Sequence, residues 1–288
     1  MARVFISHSS KDETQASGLI TWLASVGFEQ AFLDFDKHAG IAPGEDWERR
    51  LYHELERAQA MVLILTSNWF ASKWCFAEFT QGRALGKAIF AFFDWGARMA
   101  DIIAAIFPER CKALVSVSGY LIGSQEAGKI PLPPPAELQW WYQYYFATER
   151  GRVGYDKYRH DFAKLIWQIA SPQWKFDDAT FDRSATSFDN PDHVAIVIHN
   201  YRWRLALAQG EPRYDDLEKR LAEAPVITVP AITLEGDANG APHVDSSAYA
   251  KKFSGKYAHR TITGGIGHNL PQEAPQAFAQ AVIDVDRF

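Results

Sequence analysis

The stretch from residue 88 to residue 107 constrains the fold of this chain most. An apolar segment at 88–93 runs directly into the sequence DWGAR (94–98), and a helical pattern of apolar residues follows at 99–107. A strand, a sharp turn and a helix in immediate succession are typical of an α/β architecture that presents a side chain at the end of a strand. No linker-like composition occurs at 86–94, so the pattern favours one continuous sheet over two linked domains.

Upstream of this junction, apolar segments with strand character alternate with helical patterns. Strands are predicted at 3–7, 31–34, 60–66 and 88–93, and helices at 14–26, 47–57 and 72–85. Short connections between alternating strands and helices indicate a parallel sheet of the doubly wound type. We therefore expect a flavodoxin-like arrangement in this part of the chain.

Three ordered motifs in the same region carry a resemblance to a known family. They are FISHSSKD (5–12), the loop 34–46 with Gly40, Pro43 and Gly44, and NWF (68–70) followed by WCFAE (74–78). In this order they resemble a bacterial TIR (Toll/interleukin-1 receptor) domain over residues 1–91, cut short after its fourth strand. The fifth strand and the last helix of such a domain are absent from the pattern.

The TIR resemblance implies an NAD⁺ glycohydrolase in which Glu78 is catalytic and NAD is the substrate. A carboxylate suits that reaction because an oxocarbenium-like centre develops as nicotinamide leaves. The resemblance places Phe5, Ser7, Asp36 and Trp74 around the nucleotide. The alternatives are that Glu78 only caps or solvates its helix, and that the domain is a non-catalytic module for signalling through TIR–TIR self-association or another homo-oligomer.

A second resemblance begins at the junction and extends to residue 288. Asp94 lies in the strand–turn–helix motif, Asp237 in the sequence LEGD (234–237), and His268 in the glycine-rich sequence GGIGHNLP (264–271). The order Asp, Asp, His resembles that of an α/β-hydrolase of the epoxide hydrolase and haloalkane dehalogenase type, with its first half missing.

This hydrolase resemblance implies a catalytic triad. Asp94 would be the nucleophile that forms an ester with carbon, His268 would activate water, and Asp237 would fix the tautomer of His268. Two departures weaken the resemblance. The oxyanion loop of the family has no match upstream, and Phe92 stands two residues before Asp94, where the family has a small residue.

Residues 124–225 resemble the helical cap that α/β-hydrolases insert over their site. The proline run PLPPP (131–135) is predicted to be an extended linker at its entrance. Most of the dense aromatic residues that follow are expected to form the packing of the cap. For substrate binding, the resemblance suggests Tyr144, Tyr145 or Tyr201 as a donor to a leaving oxygen, and Trp95 as part of a leaving-group site.

The two resemblances together predict four segments in one α/β fold. These are a TIR-like half, the elbow with the strand after it, the helical cap, and a core with the acid and histidine loops, at 1–91, 92–123, 124–225 and 226–288. If the strand at 88–93 serves both halves, the result is one mostly parallel composite sheet of order 2-1-3-4-5-6-7. The candidate residues would then lie along its carboxyl edge.

The amino-acid composition limits the classes of partner that the chain is expected to bind. A net charge of −5 with interspersed signs argues against nucleic acid, and no apolar run reaches the roughly 20 residues that span a bilayer. The two cysteines lack metal or disulfide spacing, which favours a reducing cytoplasm. We therefore expect a cytoplasmic enzyme acting on a small molecule, with no metal and, in the hydrolase interpretation, no cofactor. The leading hypothesis is hydrolysis of a small apolar epoxide, haloalkane or ester-like substrate.

Overall fold

The structure is a computed structural model that describes residues 4–25, 30–34, 40–41, 44–63, 68–69, 72–85 and 89–288. The chain divides into two compact units. The first comprises residues 1–89 with 110–112, and the second comprises residues 90–109 with 113–288.

The first unit contains a parallel sheet of order β2-β1-β3. Its strands are β1 (Val4–Ser7), β2 (Ala31–Phe32) and β3 (Ala60–Leu63), and Phe5 of the central strand pairs with Phe32 and Met61. A 3-10 helix at Ser10–Asp12 leads into α1 (Glu13–Ser25), and the unit also contains α2 (Trp47–Arg57) and α3 (Lys73–Ala84).

Alternation along β1 divides the core of this unit into two faces. Val4 and Ile6 are buried in one cluster with Leu33, whereas Phe5 is buried in a second cluster with Leu51 and Leu55 of α2. Successive side chains of a strand point to opposite faces of the sheet, so helices cover both faces of β1. The helix α2 begins where the side chain of Asp46 accepts the backbone N–H of Arg49.

The second unit contains a sheet of order β4-β5-β6-β7. Its strands are β4 (Ile89–Phe92), β5 (Ala113–Val117), β6 (Ala231–Gly236) and β7 (Tyr257–Ile262). The pairings of β5 with β6 and of β6 with β7 are parallel, and every residue of β5 is buried. Helix α4 (Asp94–Ile106) and a 3-10 helix at Pro108–Arg110 join β4 to β5. A central strand buried on both faces is typical of parallel sheets.

The predicted α/β class with parallel sheets is confirmed. The strand orders 2-1-3 and 4-5-6-7 occur in separate sheets of the described residues. The joining of both into one seven-stranded sheet stays a prediction, and the loop predicted at 34–46 lies largely outside the described residues.

Helices occupy the chain between β5 and β6, with short 3-10 helices at Thr186–Asp189 and Pro212–Tyr214. The α-helices are α5 (Gln125–Gly128), α6 (Pro134–Gln139), α7 (Trp141–Ala147), α8 (Glu149–Ala170), α9 (Asp178–Ala185), α10 (His193–Arg204) and α11 (Asp215–Ala222). The proline run is only partly extended, because Pro134 starts α6, a position that requires no N–H.

The helices between β5 and β6, called the cap below, have an aromatic core of their own. Phe146, Tyr155 and Ile198 are buried together, and Gly151 at the start of α8 lies against the backbone carbonyl of Tyr145. After β6 come α12 (Ser246–Tyr249), a 3-10 helix at Ala250–Lys252, β7, α13 (Leu270–Glu273) and α14 (Pro275–Val285). Within the described residues, the search for a helix long and apolar enough to cross a membrane finds none.

Candidate active site

Asp94 lies at a strained turn between β4 and α4. Its φ is 51°, which places a residue with a side chain in the left-handed region, where aspartate is tolerated better than most residues. Phe93 before it is extended, and the N–H of Ala97 already bonds to the carbonyl of Phe93. This geometry is that of a nucleophile elbow, which holds one side chain clear of both the strand and the helix.

His268 faces Asp94 from the loop after β7. Its Nε2 lies 3.5 Å from Oδ1 of Asp94, and its ring contacts Phe93 edge-on at 6.3 Å between centroids. The loop reaches this position through Gly264 and Gly265, whose φ values are 114° and 82°. Positive φ angles cost glycine little, so the glycine-rich sequence allows the turn that brings the two side chains together.

The two side chains alter each other's protonation. Burial alone would lower the pKa of His268, but the hydrogen bond and charge of Asp94 outweigh it, so this pKa is raised. Burial would raise the pKa of Asp94, and His268, the N–H of Trp95 and Arg98 together lower it. Although 55% of the Asp94 side chain is accessible, it opens into a cavity under the cap. The pair therefore favours a carboxylate beside an imidazolium.

Asp237 does not contact His268. Its carboxylate accepts the backbone N–H groups of Gly264, Gly265 and Ile266 at 3.0, 2.9 and 2.9 Å. These bonds hold the pKa of Asp237 below its usual value. The expectation that Asp237 fixes the tautomer of His268 is thus not supported by the geometry, in which Asp237 shapes the loop that carries His268.

Two other carboxylates act on His268 electrostatically, Glu235 and Glu273. Nδ1 of His268 is buried and has no hydrogen-bond partner among the described residues, so none of their side chains fixes its tautomer. Glu235 also accepts a hydrogen bond from Asn239. Glu235 and Asp237 both belong to the LEGD motif, two positions apart. Residues two apart on a strand share a face, so the periodicity of the sequence could not show which of the two carboxylates acts on His268.

The end of the cap helix α8 is bonded to the His268 loop. The N–H of His268 bonds to the carbonyl of Ala170 at 3.1 Å. The hydroxyl of Ser171 donates to Glu273 and accepts from the N–H of Asn269, and Glu273 also accepts the N–H of Gly267. Ser171 is almost completely buried. The cap and the base are therefore positioned by one hydrogen-bonded network, which the motif analysis missed.

A cavity of about 1780 Å³ opens above Asp94 and His268, larger than the roughly 300–1,000 Å³ of typical ligand sites. Trp95, Tyr201 and the previously unpredicted Tyr142 and Arg98 line it. Trp95 Nε1 donates to the hydroxyl of Tyr201 at 3.4 Å, and the rings of Tyr142 and Tyr201 meet edge-on at 5.5 Å. Burial raises the pKa of both tyrosines, so their hydroxyls stay protonated as donors.

The other two tyrosines suggested for substrate binding lie elsewhere. Tyr144 is exposed and hydrogen-bonds to Glu137, and Tyr145 stacks on Phe162 within the aromatic core of the cap. Neither belongs to the cavity lining. The repeated aromatic residues of α7 contained the correct side chain, Tyr142, but only the packing of the cap selects which face of α7 meets the cavity.

The first unit contains the residues suggested by the TIR resemblance. Burial raises the pKa of Glu78 to about 7, against a hydrogen bond from Ser7 that lowers it. Ser7 is buried and accepts Nε1 of Trp69 at 2.9 Å. Phe5 is core, whereas Trp74 is exposed and packs edge-on against Trp47. Asp36 lies outside the described residues, as does the side chain of Phe92.

In the part of the chain that the structure describes, no group of three or more His, Cys, Asp or Glu side chains converges. These residues therefore offer no ligand set for a metal ion. Cys75 and Cys111 are both buried. The sulfur of Cys75 contacts the carbonyl oxygen of His8 at 3.2 Å, and burial raises the pKa of its thiol.

Comparison with known proteins agrees with both halves of the motif analysis. Residues 4–99 match the family model for the TIR domain. A candidate epoxide hydrolase from Klebsiella pneumoniae subsp. pneumoniae MGH 78578 is 45% identical in a structural alignment that covers 100% of this chain and 91% of that protein, with a TM-score of 0.74. A search of curated proteins gives no match.

More distant structures share the fold alone. A candidate α/β-hydrolase from Nostoc sp. PCC 7120 has 17% identity and a TM-score of 0.52, with 74% of this chain and 72% of that protein covered. A candidate acyltransferase from Salmonella enterica also has 17% identity and a TM-score of 0.52, with coverages of 70% and 65%. Because one fold is shared by proteins named for different reactions, the reaction must be argued from the site.

Proposed function

Because this chain belongs to the α/β-hydrolase family, with a full-length relative 45% identical to it, we propose that it hydrolyses an apolar epoxide through an ester formed at Asp94. The observation that carries the proposal is the position of Asp94 at a left-handed elbow, with Nε2 of His268 3.5 Å from its carboxylate. Haloalkanes and ester-like molecules are alternative substrates for the same pair.

In the first step, an oxygen of Asp94 attacks a ring carbon as the bond between that carbon and the epoxide oxygen breaks. The lowered pKa of Asp94 keeps this nucleophile ionised. The departing oxygen takes a proton from a tyrosine hydroxyl, and the half-buried Tyr201 and Tyr142 both line the cavity with protonated hydroxyls, because burial raises the pKa of each. Delivery of that proton prevents an alkoxide from forming in an apolar site.

In the second step, His268 removes a proton from water, which attacks the ester carbonyl at Asp94. Ester formation removes the charge of Asp94 and with it the main cause that raises the pKa of His268. The imidazole is therefore more often neutral in the ester than in the free enzyme, as a general base must be. Cleavage of the acyl–oxygen bond passes the proton of the new carboxyl group to the departing oxygen, which releases the diol and regenerates the carboxylate of Asp94. The proton held by His268 returns to the tyrosinate left by the first step.

A single turnover in oxygen-18 water tests this pathway. With enzyme in excess over an epoxide such as styrene oxide, the water oxygen should remain in the peptide containing Asp94, and the diol should carry oxygen-16 from the old carboxylate. Mass spectrometry of the digested protein and of the diol measures both. Label found in the diol and not in the peptide would mean that water attacks the epoxide directly, which contradicts a nucleophilic Asp94.

Asp94→Asn provides the control for that experiment. Loss of the nucleophile should reduce turnover roughly 10⁴-fold, with no oxygen-18 in the peptide, while circular dichroism stays unchanged because the surface of the side chain is open to the cavity. Turnover near the wild-type rate in this variant would show that Asp94 does not react.

A second candidate function is favoured by Glu78. A buried carboxyl with a pKa near neutrality, next to the hydroxyl of Ser7, is the kind of perturbed group found at active sites. We propose NAD⁺ glycohydrolase activity for the first unit as this second function, with NAD as its substrate. Non-catalytic signalling through self-association of the TIR-like unit is the alternative when neither reaction occurs.

Release of nicotinamide from NAD⁺, followed by chromatography, tests the second candidate. Glu78→Gln should abolish the release because the amide cannot stabilise positive charge, and Asp94→Asn should leave it unaltered. Release that is equal in the wild type and in Glu78→Gln would exclude Glu78 as the catalytic group.

A further inference from the structure

Two guanidinium groups surround Trp95, the residue that follows Asp94. The guanidinium carbon of Arg98 lies 4.8 Å from the centroid of the Trp95 ring, and that of Arg204 from the cap helix α10 lies 5.7 Å from the same ring. Arg204 also stacks on Trp140 at 4.5 Å. Arginine stacks readily on aromatic faces, so these rings hold both cations in place beside the nucleophile.

Among the residues that the structure describes, neither arginine has a carboxylate within ion-pair distance. Their stacking partners are the rings of Trp95 and Trp140, and Asp101 and Asp94 act on Arg98 only at longer range. Burial and the charge of Arg204 lower the pKa of Arg98 to about 10. Removing a cation from water without a hydrogen-bonded partner is costly, so the arginine pair favours the binding of an anion.

The nearby carboxyl groups do not cancel this charge. Asp101 is completely buried in α4, where the N–H of Leu121 bonds to it at 2.7 Å, and burial raises its pKa to about 7. It is therefore only partly ionised at neutral pH. Asp94 is ionised but is already paired with His268. At least one positive charge of the arginine pair is therefore left without compensation by Asp94 and Asp101.

We propose that the substrate is an apolar carboxylic acid whose carboxylate binds Arg98 and is further attracted by Arg204, a proposal that rests on the hydrolase function of Asp94 and specifies its substrate class. Arg98 lines the cavity, and its planar fork matches the two oxygens of a carboxylate. Gly123 leaves room for it, because a Cβ there would come within 3.3 Å of Nη1 of Arg98.

The common cavity of Asp94 and Arg98 limits where the reacting carbon lies. Arg98 follows Asp94 by four residues at the start of α4, and both side chains line the cavity. A carboxylate held by Arg98 therefore places the carbon one or two bonds away from it near Asp94. An epoxide directly bonded to the carboxylate, as in a glycidic acid, fits this spacing.

The rest of the substrate is assigned to the apolar part of the cavity. Trp141, Phe162 and Ile166 are among the side chains that line it, and its volume of about 1780 Å³ exceeds what a very small acid fills. An aromatic or long aliphatic group attached to the epoxide would bury apolar surface there. The preferred class is thus a 3-aryl or 3-alkyl glycidic acid.

Binding and turnover are measured separately to test this assignment. Calorimetry should detect 3-phenylpropanoate, which cannot react, at an affinity at least roughly 10-fold higher than the isosteric 3-phenylpropanamide, as expected for a charge-assisted hydrogen bond in a partly buried site. Arg98→Met should abolish this preference, and Arg98→Lys should retain part of it. Arg152→Met is the matched control, because Arg152 is exposed and paired with Glu149 on the surface.

For turnover, the ratio of kcat/KM for trans-3-phenylglycidate to that for styrene oxide should fall at least roughly 10-fold in Arg98→Met. The ratio cancels any change in the reactivity of Asp94, since both substrates use it. Equal affinity for the acid and the amide, or an unchanged ratio in Arg98→Met, would overturn the carboxylate site. Preferential binding of the acid without turnover of either epoxide would keep the site and reject the hydrolase function.

Discussion

Replacing His268 with alanine is expected to trap the ester at Asp94. Ester formation needs an ionised Asp94 and a tyrosine proton donor but not His268, whereas hydrolysis needs a base for water, so the second step should slow roughly 10²- to 10⁴-fold. Loss of His268 also removes the chief cause that lowers the pKa of Asp94, and the experiment is therefore run at pH 8. Intact-protein mass spectrometry should show an adduct with the full mass of the added epoxide.

His160→Ala is a matched control for this variant. Nε2 of His160 lies 2.9 Å from Asp189 in a second histidine–aspartate pair, but both side chains are exposed on the cap. The His160→Ala variant should hydrolyse the ester at the wild-type rate, and no adduct should accumulate on it. An adduct that persists when Asp94→Asn is combined with His268→Ala would place the nucleophile elsewhere and contradict the mechanism.

The sequence correctly predicted features whose geometry depends on residues close together in the chain. The helix predicted at 47–57 is α2 with the same bounds, because apolar spacing and the cap at Asp46 act within one segment. The elbow at Asp94 and the glycine-rich turn before His268 are equally local. Their backbone angles depend on residues close in sequence, and the approach of the two side chains follows once β4 and β7 belong to one sheet and the loop after β7 turns back towards Asp94.

The sequence did not predict features that depend on contacts between segments far apart in the chain. The apolar segment 226–234 has a strand-like pattern, but β6 begins only at Ala231. Pro230 directly before it has no N–H to donate to a neighbouring strand, and residue 227 forms only an isolated bridge with Phe253. The faces of Tyr142, Tyr144 and Tyr145 depend on the packing of α7 against α8 and α10. The role of Asp237 as an acceptor for loop N–H groups likewise became visible only in three dimensions.

The second large effect is expected from Gly236→Ala at the end of β6. A Cβ on Gly236 would lie 2.2 Å from the carbonyl oxygen of Ile266 and 2.7 Å from that of Gly267. The oxygen of Ile266 already accepts the N–H of Ala238 at 2.8 Å, so it cannot move away without losing that bond. We expect the loop to shift, with a destabilisation of about 1–3 kcal/mol from overpacking.

This displacement should affect the two chemical steps unequally. Asp94 lies at the turn between β4 and α4, away from this loop, and should still form the ester. His268 follows the displaced Gly267 directly and should hydrolyse the ester more slowly. Hydrogen exchange should also increase in peptides covering 264–270. Gly18→Ala is the control, because a Cβ there has open space within α1 and alanine is the better helix former by about 1 kcal/mol. Equal slowing of both steps in Gly236→Ala would indicate general loss of structure, since only a shift confined to the loop separates the base from the nucleophile.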